Sequence, residues 1–210
     1  MIKHTTPTIM SLVMYPGLLD RPPPPVATDF AEPATDAWVT RIRQGDSRAF
    51  EALYLAFYAP LCAFVATIVG NAAQGEDIVQ DLLCRIWERR ATWRPTNGGV
   101  RRYLFGAARN RALNHLKRQR VEARAAELSP AEDNGPTPEH DAEAADFDSA
   151  LARALADLAP RCRQACVLRW RYGLTYPEIA EAMSITQKGV EALLTRGLKA
   201  LRSALIAFDM

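Results

Sequence analysis

The sequence predicts an all-α fold with two small helical domains, joined by a flexible acidic linker, and a helix-turn-helix in the second domain. Apolar residues recur at three- and four-residue steps through most of the chain, and no segment before the linker carries a strong strand signal. Residues 122–147 are acidic and contain Pro130, Gly135, Pro136 and Pro138, which indicates a linker between two helical blocks. The chain of 210 residues is long enough for two small domains. The predicted boundaries are a tail at 1–36, domains at 37–121 and 148–210, and the linker at 122–147.

The amino-terminal tail is rich in proline and threonine and includes the run Pro22-Pro23-Pro24-Pro25. Such a composition can hardly form a helix or bury much surface, so we expect a disordered or extended tail. A short docking segment for a partner is the functional alternative.

The first domain is predicted to begin with a short helix at 37–44, which ends at Gly45. Asp46-Ser47 then offers an N-cap for a core-facing helix that runs to about Val69, and Gly70-Asn71 closes it. Pro60 falls inside this helix and should kink it or split it in two.

A further amphipathic helix is predicted at 72–90, with Ile78, Leu82, Leu83 and Ile86 facing inward. Its other sides hold Asp77, Gln80, Asp81, Arg85 and Trp87. An ordinary surface helix is one interpretation. A tryptophan flanked by charges is also a plausible interface anchor.

The most basic stretch of the chain follows a loop at 91–99 and runs from Val100 to Arg120. Leu104, Ala108, Ala112 and Leu116 form an apolar stripe that can sit on a core. Most of its cations fall on other faces, with aromatic residues among them: Arg101, Arg102, Tyr103, Phe105, Arg109, Arg111, Lys117, Arg118 and Arg120. Such a helix suits a nucleic-acid backbone with unstacked bases, although a solvated arginine-rich surface would look similar.

The second domain contains the strongest local signal, between Leu174 and Leu201. Thr175 and Glu178 form a capping box for one helix, and Thr186 caps the next after a tight turn at 184–186. Two helices in this arrangement are typical of a helix-turn-helix, whose second helix enters the DNA major groove. A generic helical hairpin is the alternative. The exposed candidates for DNA contact are Thr186, Gln187, Lys188, Glu191, Thr195, Arg196 and Lys199.

Composition argues against several other classes of protein. The four cysteines and three histidines form no zinc pattern and no disulfide framework, so we expect no metal or cofactor, a reducing cytoplasm, and buried thiols at Cys62, Cys84 and Cys166. No nucleophile–base pair or phosphate-binding glycine loop indicates an enzyme. We also expect no apolar run long enough to span a bilayer, and no signal peptide.

Three motifs together resemble the small two-domain extracytoplasmic-function (ECF) sigma factors of bacterial RNA polymerase. They are DIVQDLLCRIWE (77–88), RRYLFGAARNRALNHLKR (101–118) and the helix-turn-helix, in the order and spacing of that family. The resemblance covers about residues 37–207. It implies a factor that performs no covalent chemistry itself and lends promoter specificity and strand opening to core polymerase. The chain stops shortly after Ala207, so no additional carboxy-terminal sensing domain is expected.

The resemblance also implies roles for the matching residues. Helix 77–88 would dock on the polymerase clamp through Asp77, Gln80, Asp81, Arg85 and Trp87. The basic helix, with the loop from Trp93 to Gly99, would hold open the minus-ten element through Arg101, Arg102, Tyr103, Phe105, Arg109, Asn110, Asn114, Lys117 and Arg118, although Tyr103 and Phe105 could be core residues. The helix-turn-helix would bind the minus-thirty-five element as duplex.

One departure from the family lies in the recognition helix, where Glu191 and Leu193 replace basic residues that relatives often carry. Since glutamate cannot bind guanine as arginine does, the expected contacts move towards Gln187, Lys188, Arg196 and Lys199. The resemblance implies a sequestering anti-sigma factor as a partner, beside core polymerase and promoter DNA. Two alternatives remain: a stand-alone helix-turn-helix regulator, and a sigma mimic that titrates an anti-sigma factor.

Overall fold

The computed structural model describes residues 32–95, 99–127 and 153–206. These residues fall into two compact units, one at 32–127 and one at 153–206. Every regular element among them is helical, as the sequence predicts. Residues 1–31, 128–152 and 207–210 lie outside the described residues, and with them most of the predicted tail, most of the predicted linker and the start of the predicted second domain.

The first unit contains four α-helices and one short turn of 3-10 helix. They are α1 (Glu32–Arg43), α2 (Ser47–Val69), α3 (Ala72–Glu88), the 3-10 turn (Arg90–Thr92) and α4 (Gly99–Glu127). Helix α2 packs against the other three helices and supplies the centre of the core. Leu53, Phe57, Leu61 and Phe64 are fully buried, and Phe64 meets Phe105 of α4 edge-on, with ring centroids 5.4 Å apart.

The predicted caps of α2 are confirmed. Asp46 accepts hydrogen bonds from the backbone N–H groups of Arg48 (2.9 Å) and Ala49 (3.2 Å). Its carboxylate also accepts from Arg41 Nε at 2.8 Å, and this hydrogen bond and the capping bonds hold the pKa of Asp46 below its usual value. At the other end Gly70 adopts a left-handed conformation (φ 78°), which a residue with a Cβ adopts only at a cost.

Helices α2 and α3 cross closely at Gly75. A Cβ atom there would lie 3.2 Å from both the carbonyl oxygen of Cys62 and the backbone nitrogen of Ala66. Glycine therefore lets the backbones of the two helices approach, and this approach fixes the outer face of α3 relative to the core.

Three helix boundaries differ from the sequence-based expectation, and one helix is not split where a proline allowed a kink or a split. Helix α1 begins at Glu32, and Pro33 in its first turn is tolerated because no helical partner is lost there. Helix α2 continues through Pro60 without splitting, since buried residues hold it on both sides of the proline. Helix α3 ends at Glu88, two residues early. Helix α4 runs on to Glu127 through part of the expected linker, where the sequence EARAAE favours helix.

The expectation that no apolar segment could span a bilayer is wrong for α2. This helix of 23 residues is long and apolar enough to cross a membrane, judged by length and composition. In the structure, however, its large side chains are the core of the first unit, including Leu53, Phe57 and Phe64.

The second unit consists of a helical segment at 153–157, α5 (Pro160–Cys166), α6 (Tyr176–Met183) and α7 (Gln187–Ile206). The sequence predicts one helix at 161–172, but α5 passes into a π-helical segment, Val167–Arg171. Helices α5 and α7 pack so tightly that a Cβ on Gly197 would lie 2.5 Å from Cys166 Sγ. Gly197 is thus required by the packing of these two helices.

The helix-turn-helix follows the predicted caps. The backbone N–H of Thr175 donates to Glu178 Oε2 at 2.6 Å, and the N–H of Glu178 donates back to Thr175 Oγ1 at 3.4 Å, which completes the capping box. Ser184 takes the left-handed conformation (φ 54°) that turns the chain, and Thr186 Oγ1 accepts from the N–H of Gly189 to cap α7. The two helices therefore have a fixed mutual orientation.

Candidate nucleic-acid and partner interfaces

The outer face of α3 carries the residues predicted for protein docking. Asp77, Gln80, Asp81 and Arg85 are exposed. Gln80 Nε2 donates a 3.1 Å hydrogen bond to the hydroxyl of Tyr58, which stacks on Tyr54 with ring centroids 4.7 Å apart. The face thus extends from α3 onto the aromatic side of α2.

Trp87 is half-buried and held in place by its neighbours. Its ring centroid lies 5.0 Å from that of Phe50, and the guanidinium carbon of Arg90 lies 4.6 Å above the ring. A fixed aromatic ring loses little conformational entropy on binding, but part of the Trp87 ring is already buried against its neighbours in the fold.

Asp81 joins α3 to α4 through two ion pairs. One carboxylate oxygen accepts from Arg85 Nε at 3.2 Å, and the other pairs with Arg111 of α4. Asp81 is therefore shared between its own helix and the basic helix.

The predicted nucleic-acid residues of helix α4 fall into three groups, which are exposed, half-buried and buried. Asn110, Asn114, Lys117 and Arg118 are exposed and share one face, because they are spaced i, i+4, i+7 and i+8. Arg101 and Tyr103 are half-buried near the start of the helix.

The remaining three predicted residues of α4 are buried. Phe105 is fully buried, and Arg102 and Arg109 are only 6 % and 7 % exposed. These positions follow the i, i+3, i+7 pattern of a core-facing stripe, so the two arginines lie on the packed side of the helix. Their side chains are therefore little accessible to DNA, whereas those of Asn110, Asn114, Lys117 and Arg118 are open to solvent.

A cavity of about 340 Å³ lies between the end of α3, the 3-10 turn and the start of α4. Its lining combines cationic, aromatic and apolar side chains: Leu82, Arg85, Ile86, Arg89, Thr92, Trp93, Arg94, Tyr103 and Arg111. Trp93 and Tyr103 meet edge-on with centroids 5.9 Å apart. Arginines beside aromatic rings form a surface that can hold a phosphate and a base together. Residues 96–98 of the adjoining loop lie outside the described part of the chain.

The helix-turn-helix presents all of its predicted contact residues to solvent. Thr186, Gln187 and Lys188 lie at the start of α7, and Glu191, Thr195, Arg196 and Lys199 follow along the helix. Leu193 is half-buried, so the apolar residue in the middle of the recognition helix belongs partly to the core.

Arg169 is a positioning residue that the sequence analysis missed. It is 7 % exposed, its Nη1 donates to the carbonyl oxygen of Leu174 at 3.1 Å, and its guanidinium carbon lies 5.0 Å from the ring centre of Tyr176. Burial lowers the pKa of Arg169, while Tyr176 and Glu178 oppose that shift. Arg169 thereby ties the π-helical segment to the start of α6. The sequence signal for this role is a charged residue within an otherwise apolar helical segment.

The fold and these surfaces define a class: a helical protein with a helix-turn-helix and, in its other unit, a second surface suited to nucleic acid. Comparison with known families agrees, since the model of sigma-70 region 2 matches residues 53–122 and that of sigma-70 region 4 matches residues 148–201.

Relatives of the whole chain are similar to it over most of their length. The ECF RNA polymerase sigma factor SigL of Mycobacterium tuberculosis is 30% identical over 173 residues, which cover 80% of this chain and 96% of SigL. SigK of Mycolicibacterium vanbaalenii is 23% identical over 81% of this chain and 88% of its own.

Two solved structures share the fold. The sigma factor RpoE of Bartonella quintana, solved with the anti-sigma factor NepR, has a TM-score of 0.59 at 20% identity and covers 74% of this chain and 96% of its own. CnrH, solved with the cytosolic domain of CnrY, has a TM-score of 0.58 at 21% identity and covers 84% of this chain and 99% of its own.

The chain therefore belongs to the ECF sigma factors of bacterial RNA polymerase. It directs promoter recognition and transcription initiation by core polymerase, and sigma factors are not a class of catalytic enzymes. The relatives named as ECF sigma factors do not favour the two alternatives, a stand-alone regulator and a sigma mimic.

Proposed function

We propose a division of labour between three surfaces of this sigma factor. The outer face of α3 docks on core polymerase through Asp77, Gln80, Asp81, Arg85 and Trp87. The exposed face of α4 holds the minus-ten element as a single strand. Helix α7 reads the minus-thirty-five element in the major groove of the duplex.

The observation that carries this proposal is the face of α4 formed by Asn110, Asn114, Lys117 and Arg118. Side-chain amides can hydrogen-bond to base edges, and the two cations can neutralise phosphates. The arginine- and aromatic-lined cavity beside the start of the same helix offers further contacts for a strand whose bases are unstacked.

Helix α7 offers contacts of a different kind. Gln187 and Lys188 lie in its first turn, where a recognition helix meets base edges and phosphates. Arg196 and Lys199 lie further along and can reach the backbone, while Glu191 can accept a hydrogen bond from cytosine. A duplex site is therefore the better ligand for this unit.

The experiment that tests the division of labour is charge reversal on α4. Lys117→Glu should reduce promoter opening about tenfold or more, measured by permanganate reactivity of unpaired thymines, because it replaces a phosphate contact with a repulsive charge. Binding to core polymerase, measured by native gel shift, should stay unchanged. The matched control is Arg124→Glu, an exposed charge reversal seven residues further along α4 and outside the proposed contact set.

Two results would contradict the proposal. Equal loss of core binding and opening in Lys117→Glu would place the polymerase interface on α4. If Lys117→Glu and Arg124→Glu reduced promoter opening equally, the loss would reflect the overall charge of α4 and not a specific contact at Lys117.

The same proposal has three further parts. An anti-sigma factor regulates the protein, the protein acts in the cytoplasm, and it performs no covalent chemistry itself. RpoE of Bartonella quintana was solved with the anti-sigma factor NepR, which supports the first. Purification of the tagged chain from its host should recover a stoichiometric protein that blocks core binding when added back. Recovery of core polymerase without such an inhibitor would argue against a sequestering partner.

A further inference from the structure

One carboxylate in the first unit connects the two surfaces assigned to different partners. Asp81 belongs to the face of α3 proposed for polymerase docking, yet it pairs with Arg111 of α4, which lines the arginine-rich cavity. Its second oxygen pairs with Arg85, another residue of the cavity wall. Asp81 therefore supplies negative charge at the edge of a site suited to an anion.

We propose that the Asp81–Arg111 ion pair is an autoinhibitory latch, which weakens single-strand binding by the free factor and is released when core polymerase engages Asp81. This inference rests on the proposed function, because it takes α3 as the docking face and the α4 side as the DNA side. The ligand that competes with Asp81 for Arg111 is the phosphate of a DNA strand.

The exposure of the Asp81–Arg111 pair suits an exchangeable contact better than a permanent structural one. Half of the Asp81 side chain is exposed (50%), so a partner can reach it, while Arg111 is 29% exposed and keeps part of its surface towards solvent. An ion pair at such exposure contributes little to the fold and can be exchanged for another partner at small cost. The other cations of the cavity, Arg89 and Arg94, increase the attraction for phosphate once Asp81 is engaged elsewhere.

The latch makes polymerase binding and strand binding mutually favourable. If polymerase removes Asp81 from Arg111 and thereby strengthens the grip on DNA, then bound DNA must strengthen the grip on polymerase by the same factor. A free sigma factor would then bind few single strands on its own. The expected factor is a few-fold, because the pair is half-exposed.

The test is a double-mutant cycle on the full chain with a labelled oligothymidylate, followed by fluorescence anisotropy. Asp81→Asn should tighten binding about threefold, and Arg111→Gln should weaken it. In the Arg111→Gln background the gain from Asp81→Asn should fall to what the release of Arg85 alone supplies, because Arg111 is no longer there to release. A misfolded variant would not bind more tightly, so the sign of the first effect separates a latch from a structural role.

The matched control is Glu88→Gln, which removes an equal charge from an exposed position seven residues along the same face of α3. It should change binding by less than about twofold. Equal gains from Asp81→Asn and Glu88→Gln, or an undiminished gain from Asp81→Asn in the Arg111→Gln background, would overturn the latch.

A second arm uses holoenzyme assembled at saturating core polymerase. The advantage of Asp81→Asn in binding a premelted promoter fragment should disappear, since polymerase already occupies Asp81 in the wild type. A gain of the same size in holoenzyme and free factor would show that polymerase does not release the pair.

The Lys117→Glu variant distinguishes failure of the proposed DNA-binding role of α4 from failure of the latch. If Lys117→Glu binds the oligonucleotide as the wild type does, the proposed DNA-binding role of α4 is wrong. If Lys117→Glu weakens oligonucleotide binding but the double-mutant cycle shows no coupling between Asp81 and Arg111, only the latch is wrong.

Discussion

At the scale of single residues, Gly197 is the position where the least change should have the largest effect on stability. A Cβ there would lie 2.5 Å from Cys166 Sγ, and Cys162 Cβ would lie 3.8 Å from the same point. Cys166 is 1 % exposed, so its sulfur has little room to rotate away.

Gly197→Ala should therefore lower the free energy of unfolding of the second unit by about 1–3 kcal/mol, the usual range for overpacking. Urea denaturation followed by circular dichroism measures this. Gly189→Ala in the same helix is the matched control, since its Cβ makes no contact closer than 3.4 Å and should be neutral or stabilising by about 0.5–1 kcal/mol. The double variant Gly197→Ala/Cys166→Ala should recover most of the loss. Equal stability of the two single variants would contradict the close packing of α5 and α7.

The cysteines differ in exposure more than the sequence suggests. Cys166 is buried as expected and Cys62 is half-buried, but the expectation is wrong for Cys84, which is exposed on α3. The apolar neighbours Leu82 and Leu83 turn inward, while Cys84 falls on the next face of the helix. Burial raises the pKa of the Cys166 thiol to about 12, and the neighbouring Cys162 adds to the shift.

A thiol reagent should therefore modify Cys84 quickly in the native protein and leave Cys166 protected, because the thiolate is the reactive form. Raising the pH within the mildly alkaline range should leave Cys166 unmodified, because its raised pKa keeps the thiol protonated there. Mass spectrometry of the labelled peptides measures both rates, and denatured protein provides the control for full labelling. Native labelling of Cys166 at the rate of Cys84 would contradict the burial of α5.

Residue patterns predicted the apolar core far better than they predicted charged residues. Leu104, Ala108 and Ala112 are fully buried, as the stripe on α4 predicts. Arg102 and Arg109 are buried too, because a long arginine stem can pack in a core while its guanidinium finds polar partners. The spacing of Arg102 and Arg109 matches the buried stripe, but a pattern of apolar residues counts every arginine as solvent-facing, so these two were grouped with Lys117 and Arg118.

At the scale of elements, caps and glycines located most helix ends. Asp46, Gly70, Thr175 and Thr186 stand where the sequence predicts them, since each satisfies backbone groups that a helix end leaves open. The π-helical segment at 167–171 was not predictable, because it depends on tertiary packing around Arg169 and Leu174. The seven predicted residues of the helix-turn-helix are exposed, but their contacts with DNA remain a prediction.

A prediction at this scale concerns the outer face of α7. Arg196→Ala should weaken binding to a duplex that carries the upstream promoter element and lower the salt dependence of that binding by about one phosphate contact, because it removes a cation proposed to reach the DNA backbone. Titration of labelled duplex by fluorescence anisotropy measures the effect. Ser203→Ala, at an exposed position seven residues further along α7, is the control and should leave the affinity unchanged. Unchanged affinity in Arg196→Ala would remove this residue from the interface.

At the scale of the whole molecule, two helical units with separate surfaces account for a factor that must meet a protein, a single strand and a duplex. The first unit presents α3 and α4 on adjoining faces, and Asp81 joins them. The second unit carries a helix-turn-helix whose orientation depends on Arg169, the capping box and Gly197. The sequence motifs identified the family because they contain the residues of these surfaces. The ion pair between α3 and α4 could be recognised only in the folded structure, where the two helices lie side by side.

Run-off transcription with purified core polymerase, on genomic promoter fragments from the protein's own host, tests the central claim most directly. The account predicts transcripts from defined start sites only when this chain is added, and their loss when Lys117→Glu replaces the wild type. Absence of transcripts, together with tight binding of the free protein to duplex DNA, would contradict the sigma mechanism for this chain and favour a stand-alone regulator.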